Sequence, residues 1–151
     1  MPRRTEMSNG ADTSGRAAVG VLICDDNEGM RALLRVVIGI RPSLRVVGEA
    51  GDGNEAILEA KLLQPDVILL DLAMPRCTGL EALSELRRVA PTAKVIIFSG
   101  FSTASVAEEV VALGAVRYLA KGADPEVIND AIEEVAAQTT PVVPGIAPQA
   151  A

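Results

Sequence analysis

Apolar residues in this chain gather into five short runs, and segments with helical spacing fall between them. Val19-Gly20-Val21-Leu22-Ile23-Cys24 is the first run. Val67-Ile68-Leu69-Leu70 and Val95-Ile96-Ile97-Phe98 are apolar at every position, not at alternate ones, as in strands buried on both faces. The pattern predicts strands over 19–24, 44–47, 67–71, 94–99 and 117–120. Met30, Leu33, Leu34 and Val37 share one face at the i, i+3, i+4, i+7 spacing and predict a first helix, closed by Gly39 and Pro42. Asn54 is the expected cap of a second helix with Ala56, Ala60 and Leu63 inward, stopped before Pro65. Helices over about 80–89 and 103–113 follow, the latter ended by Gly114. Asp124-Pro125-Glu126 opens the last helix with a cap, a first-turn proline and a first-turn acid. Its inward face is Ile128, Ala131, Ile132 and Val135.

Strict alternation of fully apolar strands with helices predicts an α/β fold, a doubly wound five-stranded parallel sheet with helices on both faces. In such sheets ligands bind at the carboxyl ends of the strands. Asp25-Asp26 end the first run, Asp71 the third, Ser99 the fourth, and Lys121 follows the fifth. Outside this block, residues 1–18 are rich in Ser, Thr, Gly, Asn and Arg without apolar period and read as a flexible leader. Residues 138–151, with Pro141, Pro144 and Pro148, read as a flexible tail.

With 151 residues, 49% of them hydrophobic, the chain can bury one core but not two. Its net charge of −6 argues against nonspecific nucleic-acid binding, which needs cationic residues to displace counterions. No apolar segment reaches the about 20 residues needed to cross a bilayer. Arg3-Arg4 is followed by Thr5-Glu6 instead of an apolar stretch, so it is no twin-arginine signal, and a cytoplasmic location is expected. Histidine is absent, which excludes phosphohistidine and His-based metal or triad chemistry on this chain. Cys24 reads as a small core residue, and Cys77 as an inert thiol in a loop near the strand ends.

Taken singly, each polar residue has an ordinary explanation. Asp26 or Asn27 suits a helix cap, Lys121 before Gly122 a solvated turn, Ser99-Gly100 a turn. Asp71 is harder to dismiss, because a carboxylate ending a fully apolar strand carries a desolvation cost that needs compensation. Together they fit one reaction. Clustered carboxylates repel unless a cation sits among them, and an oxygen-only set suits Mg²⁺ or Mn²⁺. Asp26 and Asp71 would hold the ion, with Asp25 acting through water. Lys121 and the Ser99 hydroxyl would take phosphoryl oxygens, and Asp71 would be the nucleophile.

At these residues the chain resembles a known family. Asp25-Asp26, Asp71-x-x-Met74-Pro75-x-x-x-Gly79, Ser99-Gly100 and Tyr118-x-x-Lys121 look like the receiver domain of bacterial two-component response regulators, over residues 19–137. The resemblance implies a flavodoxin-like strand order 2-1-3-4-5. It implies phosphorylation of Asp71 by a sensor histidine kinase or phosphotransfer protein, with Mg²⁺ bound by Asp25, Asp26, Asp71 and the backbone carbonyl of Ala73. It further implies a switch in which Ser99 is drawn inward and Tyr118 follows. The face made by helix 103–113, strand 117–120 and helix 125–137 would be remodelled, with Ala104, Ala107 and Val111 as docking positions for a downstream protein or, on phosphorylation, a second copy.

Two departures qualify the match. Gly122 stands where receivers commonly have proline, as in the branch that usually carries a C-terminal helix-turn-helix domain. No such domain fits after residue 137, so the chain reads as a stand-alone receiver or one that has lost its output domain, without direct DNA binding of its own. Ala73 and Phe101 offer no group to orient an attacking water, so a long-lived aspartyl phosphate is expected. Among other classes, a haloacid-dehalogenase-type phosphatase needs an acid two residues after the nucleophile, where Ala73 stands. A scaffold without phosphorylation is opposed by the complete residue set. The expected chain is therefore a switch and not an enzyme on external substrates.

Overall fold

The structure, a computed structural model, describes residues 17–100 and 104–138. Five strands alternate with five helices: β1 (Val19–Cys24), α1 (Glu28–Gly39), β2 (Leu44–Ala50), α2 (Gly53–Leu63), β3 (Val67–Leu70), α3 (Gly79–Val89), β4 (Lys94–Ser99), α4 (Ala104–Ala112), β5 (Arg117–Ala120) and α5 (Pro125–Ala136). The strands form one parallel sheet in the order β2-β1-β3-β4-β5, as the resemblance implied. Among the described residues, no helix is long and apolar enough to cross a membrane.

Alternate residues of the three inner strands feed two cores. Leu22, Cys24, Ile68, Leu70, Val95 and Ile97 face one cluster with Ala56 and Ala60 of α2, Ala82, Leu83 and Leu86 of α3, and Val110 of α4. Val21, Ile23, Val67, Leu69, Ile96 and Phe98 face the other, with Leu34, Val37 and Ile38 of α1 and Ile128, Ala131, Ile132 and Val135 of α5. The continuous apolar runs arise because both faces are covered.

Several boundaries and faces differ from expectation. β2 continues past Val47 to Ala50 through Gly48 and Glu49. This is an edge strand whose pairing with β1 shifts register between Val21 and Leu22, so its polar residues reach solvent while the backbone stays paired. Helix α2 is capped by Asp52, not Asn54: the Asp52 carboxylate accepts the Glu55 N–H. Leu33 points outward, 53% exposed, and Ile38 takes its place in the core, while Leu63 is also largely exposed. Asp71 lies one residue beyond the last paired position of β3. The predicted start of α4 at Thr103, Phe101, residues 1–16 and the tail from 139 onward lie outside the described residues, as does the Ala104 side chain.

Candidate functional site

Two of the site's acids are delivered by strand ends that are themselves locked. The N–H of Asp25 donates to Ala50 C=O (2.9 Å) and that of Asp71 to Cys24 C=O (2.9 Å). Asn27 caps α1 by accepting the Met30 N–H, and its own N–H donates to Asp25 Oδ1 (2.9 Å). Asp26 is left projecting from the turn, exposed, while Asp25 and Asp71 are buried. One carboxylate oxygen from each of Asp25, Asp26 and Asp71 falls within 4.8 Å of the others.

Lys121 enters from the end of β5, where its N–H donates to Ser99 C=O (3.0 Å). Its Nζ lies 2.7 Å from Asp25 Oδ2 and donates a hydrogen bond to Asp71 Oδ2 at 3.2 Å. The contact with Asp25 lacks hydrogen-bond direction, so the buried Asp25 Oδ2 accepts no hydrogen bond among the described residues. One ammonium thus serves two carboxylates beside a third acid. The donor set is all oxygen, and three carboxylates against one ammonium leave it net negative. These properties fit a hard divalent cation.

Burial pushes the Asp71 carboxyl above its usual range, opposed by the Ala73 N–H (3.3 Å from Oδ1), reinforced by the Asp25 charge and opposed again by Lys121. Burial acts to lower Lys121, but its contacts with Asp25 and Asp71 overcome this and hold the ammonium above its usual value. The two directions are compatible because one cation is shared between two anions. Burial also raises the Cys24 thiol strongly, and that of Cys77, so neither is an activated nucleophile.

Ser99 is fully buried at the end of β4. Tyr118 of β5 is half-buried against the α2–α3–α4 core, and its hydroxyl is sequestered without a hydrogen-bond partner among the described residues. Ala73 stands on the loop after Asp71. Gly79 closes that loop with its N–H on Leu72 C=O (3.1 Å), and Thr78 and Glu81 form a reciprocal capping box at the start of α3. Residues 25, 26, 71, 73, 99 and 121 therefore lie at or beside one rim of the sheet, and Tyr118 lies two residues back along β5, paired with Ile97. Val111 is exposed and Ala107 half-buried on α4.

Over this geometry the chain matches the response regulator receiver domain model across residues 21–133. The chain belongs to the response regulator receiver domain family. It is 44% identical over 112 residues to the nitrate/nitrite response regulator protein NarP of Escherichia coli, covering 74% of this chain and 52% of NarP. It is 41% identical over 118 residues to the transcriptional regulatory protein YxjL of Bacillus subtilis, covering 78% of this chain and 54% of YxjL. The receiver thus spans about half the length of these relatives. Against the chemotaxis protein CheY of Thermotoga maritima it is 33% identical over 76% of this chain and 95% of CheY. Among solved structures, the response regulator domain of Thermotoga maritima CheB superposes with a TM-score of 0.76 at 31% identity, over 81% of this chain and 98% of that one.

Two groups at this rim were not legible in the sequence. Arg31 of α1 donates from Nη1 to Asp25 C=O (2.7 Å) and from Nε to Glu49 (3.0 Å), tying the acidic turn to β2. Asp52 receives Arg76 on one oxygen and the Glu55 N–H on the other, and these contacts, the N–H first, hold its carboxyl below the usual range. Arg76 itself has φ of +65°, a left-handed conformation that costs a non-glycine residue about 1–2 kcal/mol. Neither group carries a motif, and each also reaches a partner 18 or more positions away, Glu49 for Arg31 and Arg76 for Asp52.

Proposed function

We propose that this receiver accepts a phosphoryl group on Asp71 from a sensor histidine kinase or phosphotransfer protein and acts as a cytoplasmic switch for protein–protein contacts. The observation that carries the reading is the Lys121 ammonium shared between Asp25 and Asp71, beside a third carboxylate. Asp25, Asp26, Asp71 and the Ala73 carbonyl would hold Mg²⁺, with Mn²⁺ able to substitute. When bound, the ion supplies charge neutralisation for the acids and for phosphoryl oxygens.

The chain's own residues do the rest. The exposed side of the rim admits the donor, and the buried Asp71 carboxylate attacks phosphorus in line. An O–P bond to Asp71 forms as the donor's bond to phosphorus breaks, and the donor leaves with the electron pair. Lys121, released from part of its pairing with Asp71, neutralises one phosphoryl oxygen, and the Ser99 hydroxyl donates to another. Ser99 and Tyr118 then couple the modification to the face of α4, β5 and α5, where the exposed Val111 meets solvent. The aspartyl phosphate is long-lived because Ala73 carries no group to orient water. The receiver assists its own modification and is not an enzyme on external substrates.

Intact-mass measurement after incubation with acetyl phosphate, with Mg²⁺ or with chelator, tests the reading. One Mg²⁺-dependent phosphoryl group on the wild type, absent in Asp71→Asn, is expected. No modification under either condition would overturn it. A second reading is favoured by the half-length coverage of relatives described as transcriptional regulatory proteins: the receiver would gate a DNA-binding output domain. This acidic chain would not itself contact DNA.

A further inference from the structure

We infer that Asp52, through its ion pair with Arg76, is a positioning residue for the loop of residues 72–79 and sets where the Ala73 carbonyl meets a divalent cation. The inference rests on the proposed cation site and goes beyond it, because Asp52 and Arg76 belong to none of the groups that would hold the ion.

The loop contains a strained turn. The Cys77 N–H donates to Pro75 C=O at 2.6 Å, closing three residues around Arg76 with its φ of +65°. Turns of this hand are rare and persist only where their surroundings hold them. Glycine or asparagine would adopt the position at lower strain, so the arginine is intelligible by what its side chain does. Its Nε and Nη2 lie 2.9 and 2.7 Å from Asp52 Oδ2. The guanidinium is 67% exposed but its carboxylate partner only 5%, so Asp52 is the fixed end of the pair. Oδ1 of Asp52 is fixed in turn by the Glu55 N–H at the start of α2.

A second contact runs parallel to the first. The Gly53 N–H donates to Cys77 C=O at 2.8 Å, and a Cβ on Gly53 would stand 2.5 Å from that oxygen and from Cys77 Sγ. The loop carrying Ala73 is therefore held at its near end by Asp71, at its far end by Gly79, and between them by the buried Met74 and by these contacts to the start of α2. Releasing Arg76 from Asp52 leaves the Gly53 contact and the buried Met74 to hold the turn against its strain. The loop then relaxes, and the Ala73 carbonyl loses its fixed distance from the acids.

The test is Mg²⁺ affinity by calorimetry on the full chain, with amide hydrogen exchange, for wild type, Asp52→Ser, Arg76→Ala, Arg76→Gly and the Asp52→Ser/Arg76→Ala double variant. Serine keeps an acceptor for the Glu55 N–H, and glycine removes the guanidinium while relieving the strain. Asp52→Ser and Arg76→Ala are each expected to bind Mg²⁺ three- to tenfold more weakly, Arg76→Gly by less because its turn is unstrained, the double variant no more weakly than those two singles, and the Gly53 and Gly79 amides to exchange faster. Phosphorylation by acetyl phosphate should be slow at limiting Mg²⁺ and recover at saturating Mg²⁺. Affinities of Asp52→Ser and Arg76→Ala within twofold of wild type would overturn the inference, whether or not exchange changes, as would an Arg76→Gly loss as large as that of Arg76→Ala. A loss confined to Asp52→Ser would also overturn it, by assigning the effect to removed negative charge near the ion. If wild type binds Mg²⁺ but takes no phosphoryl group, the proposed function fails while the affinities still decide the clamp. If wild type binds no Mg²⁺, both fall.

Discussion

Gly79 packs so closely on Asp71 that a Cβ at residue 79 would stand 2.1 Å from the Asp71 carbonyl oxygen. The start of α3 is thus built against the backbone of the residue proposed to take the phosphoryl group. Gly79→Ala must move one or the other. Overpacking of this kind costs about 1–3 kcal/mol, so the variant should unfold at lower urea. Its phosphorylation rate by acetyl phosphate should fall as well, since the displaced atoms belong to Asp71 itself. Wild-type stability in urea titrations would show that the backbone yields freely here.

Lys121 separates two buried carboxylates that would otherwise face each other. Removing one partner of a buried ion pair costs roughly 3–5 kcal/mol. Lys121 retains 23% exposure, which screens the pair and reduces the expected loss for Lys121→Ala to about 1–3 kcal/mol. Mg²⁺ should restore part of that stability, because it neutralises the same acids. Removal of a group that contacts developing charge slows a reaction by about a hundredfold or more, so phosphorylation should fall by that order. Thermal melts with and without Mg²⁺, alongside mass-resolved phosphorylation, check both effects.

Asp71 is raised in the folded state, first by burial. Its contribution to stability is therefore fully present below the unfolded carboxylate value, about 3.9, and is lost as pH rises through the higher folded value. At neutral pH without Mg²⁺, Asp71→Asn should melt above wild type, because the amide avoids burying the charge. The advantage should vanish near pH 4 and shrink when Mg²⁺ is added at neutral pH. A wild type more stable than Asp71→Asn throughout would show that Lys121 fully compensates the buried charge. Lys121 has the same sign at the other extreme: its raised value makes the pairing persist through neutral pH and fail as pH rises above the ordinary lysine range.

Tyr118 buries a hydroxyl that finds no partner. An unsatisfied buried polar group costs about 1–3 kcal/mol. Tyr118→Phe should accordingly leave the unphosphorylated protein as stable as wild type or more stable by up to about that amount. Urea titration reads the difference directly, and a clear destabilisation would reveal a hydrogen bond made in solution.

Local pattern was enough for what local pattern decides. β1, β4 and β5 have the bounds their apolar runs predicted, and Ile128, Ala131, Ile132 and Val135 of α5 are all buried as their spacing required. The acids and Lys121 came together because strand ends in a parallel sheet share one rim. Leu33 was misplaced because Leu33 and Leu34 fit overlapping helical stripes, and packing against the sheet and α5 selects the stripe through Ile38. The extension of β2 was hidden by Gly48 and Glu49, which break the apolar run on an edge strand. Asp52 and Asn54 are both good caps, and the choice between them is made by Arg76, 24 residues away. Arg31 and Asp52 likewise act on the site through distant partners, which no periodicity encodes.

The helices are anchored unequally. Helix α5 sinks Ile128, Asn129, Ala131, Ile132 and Val135 into the protein, and Asn129 donates to Val37 C=O of α1 at 2.8 Å. Ser43 and Arg41 add contacts to Glu133. Among the described side chains of α4, only Val110 is buried. The molecule therefore has a stiff flank and a loosely moored one. A perturbation at the rim need not overcome the whole core to be felt at the surface; among the described side chains of α4 it has to outweigh the hold of Val110 and of the half-buried Val106.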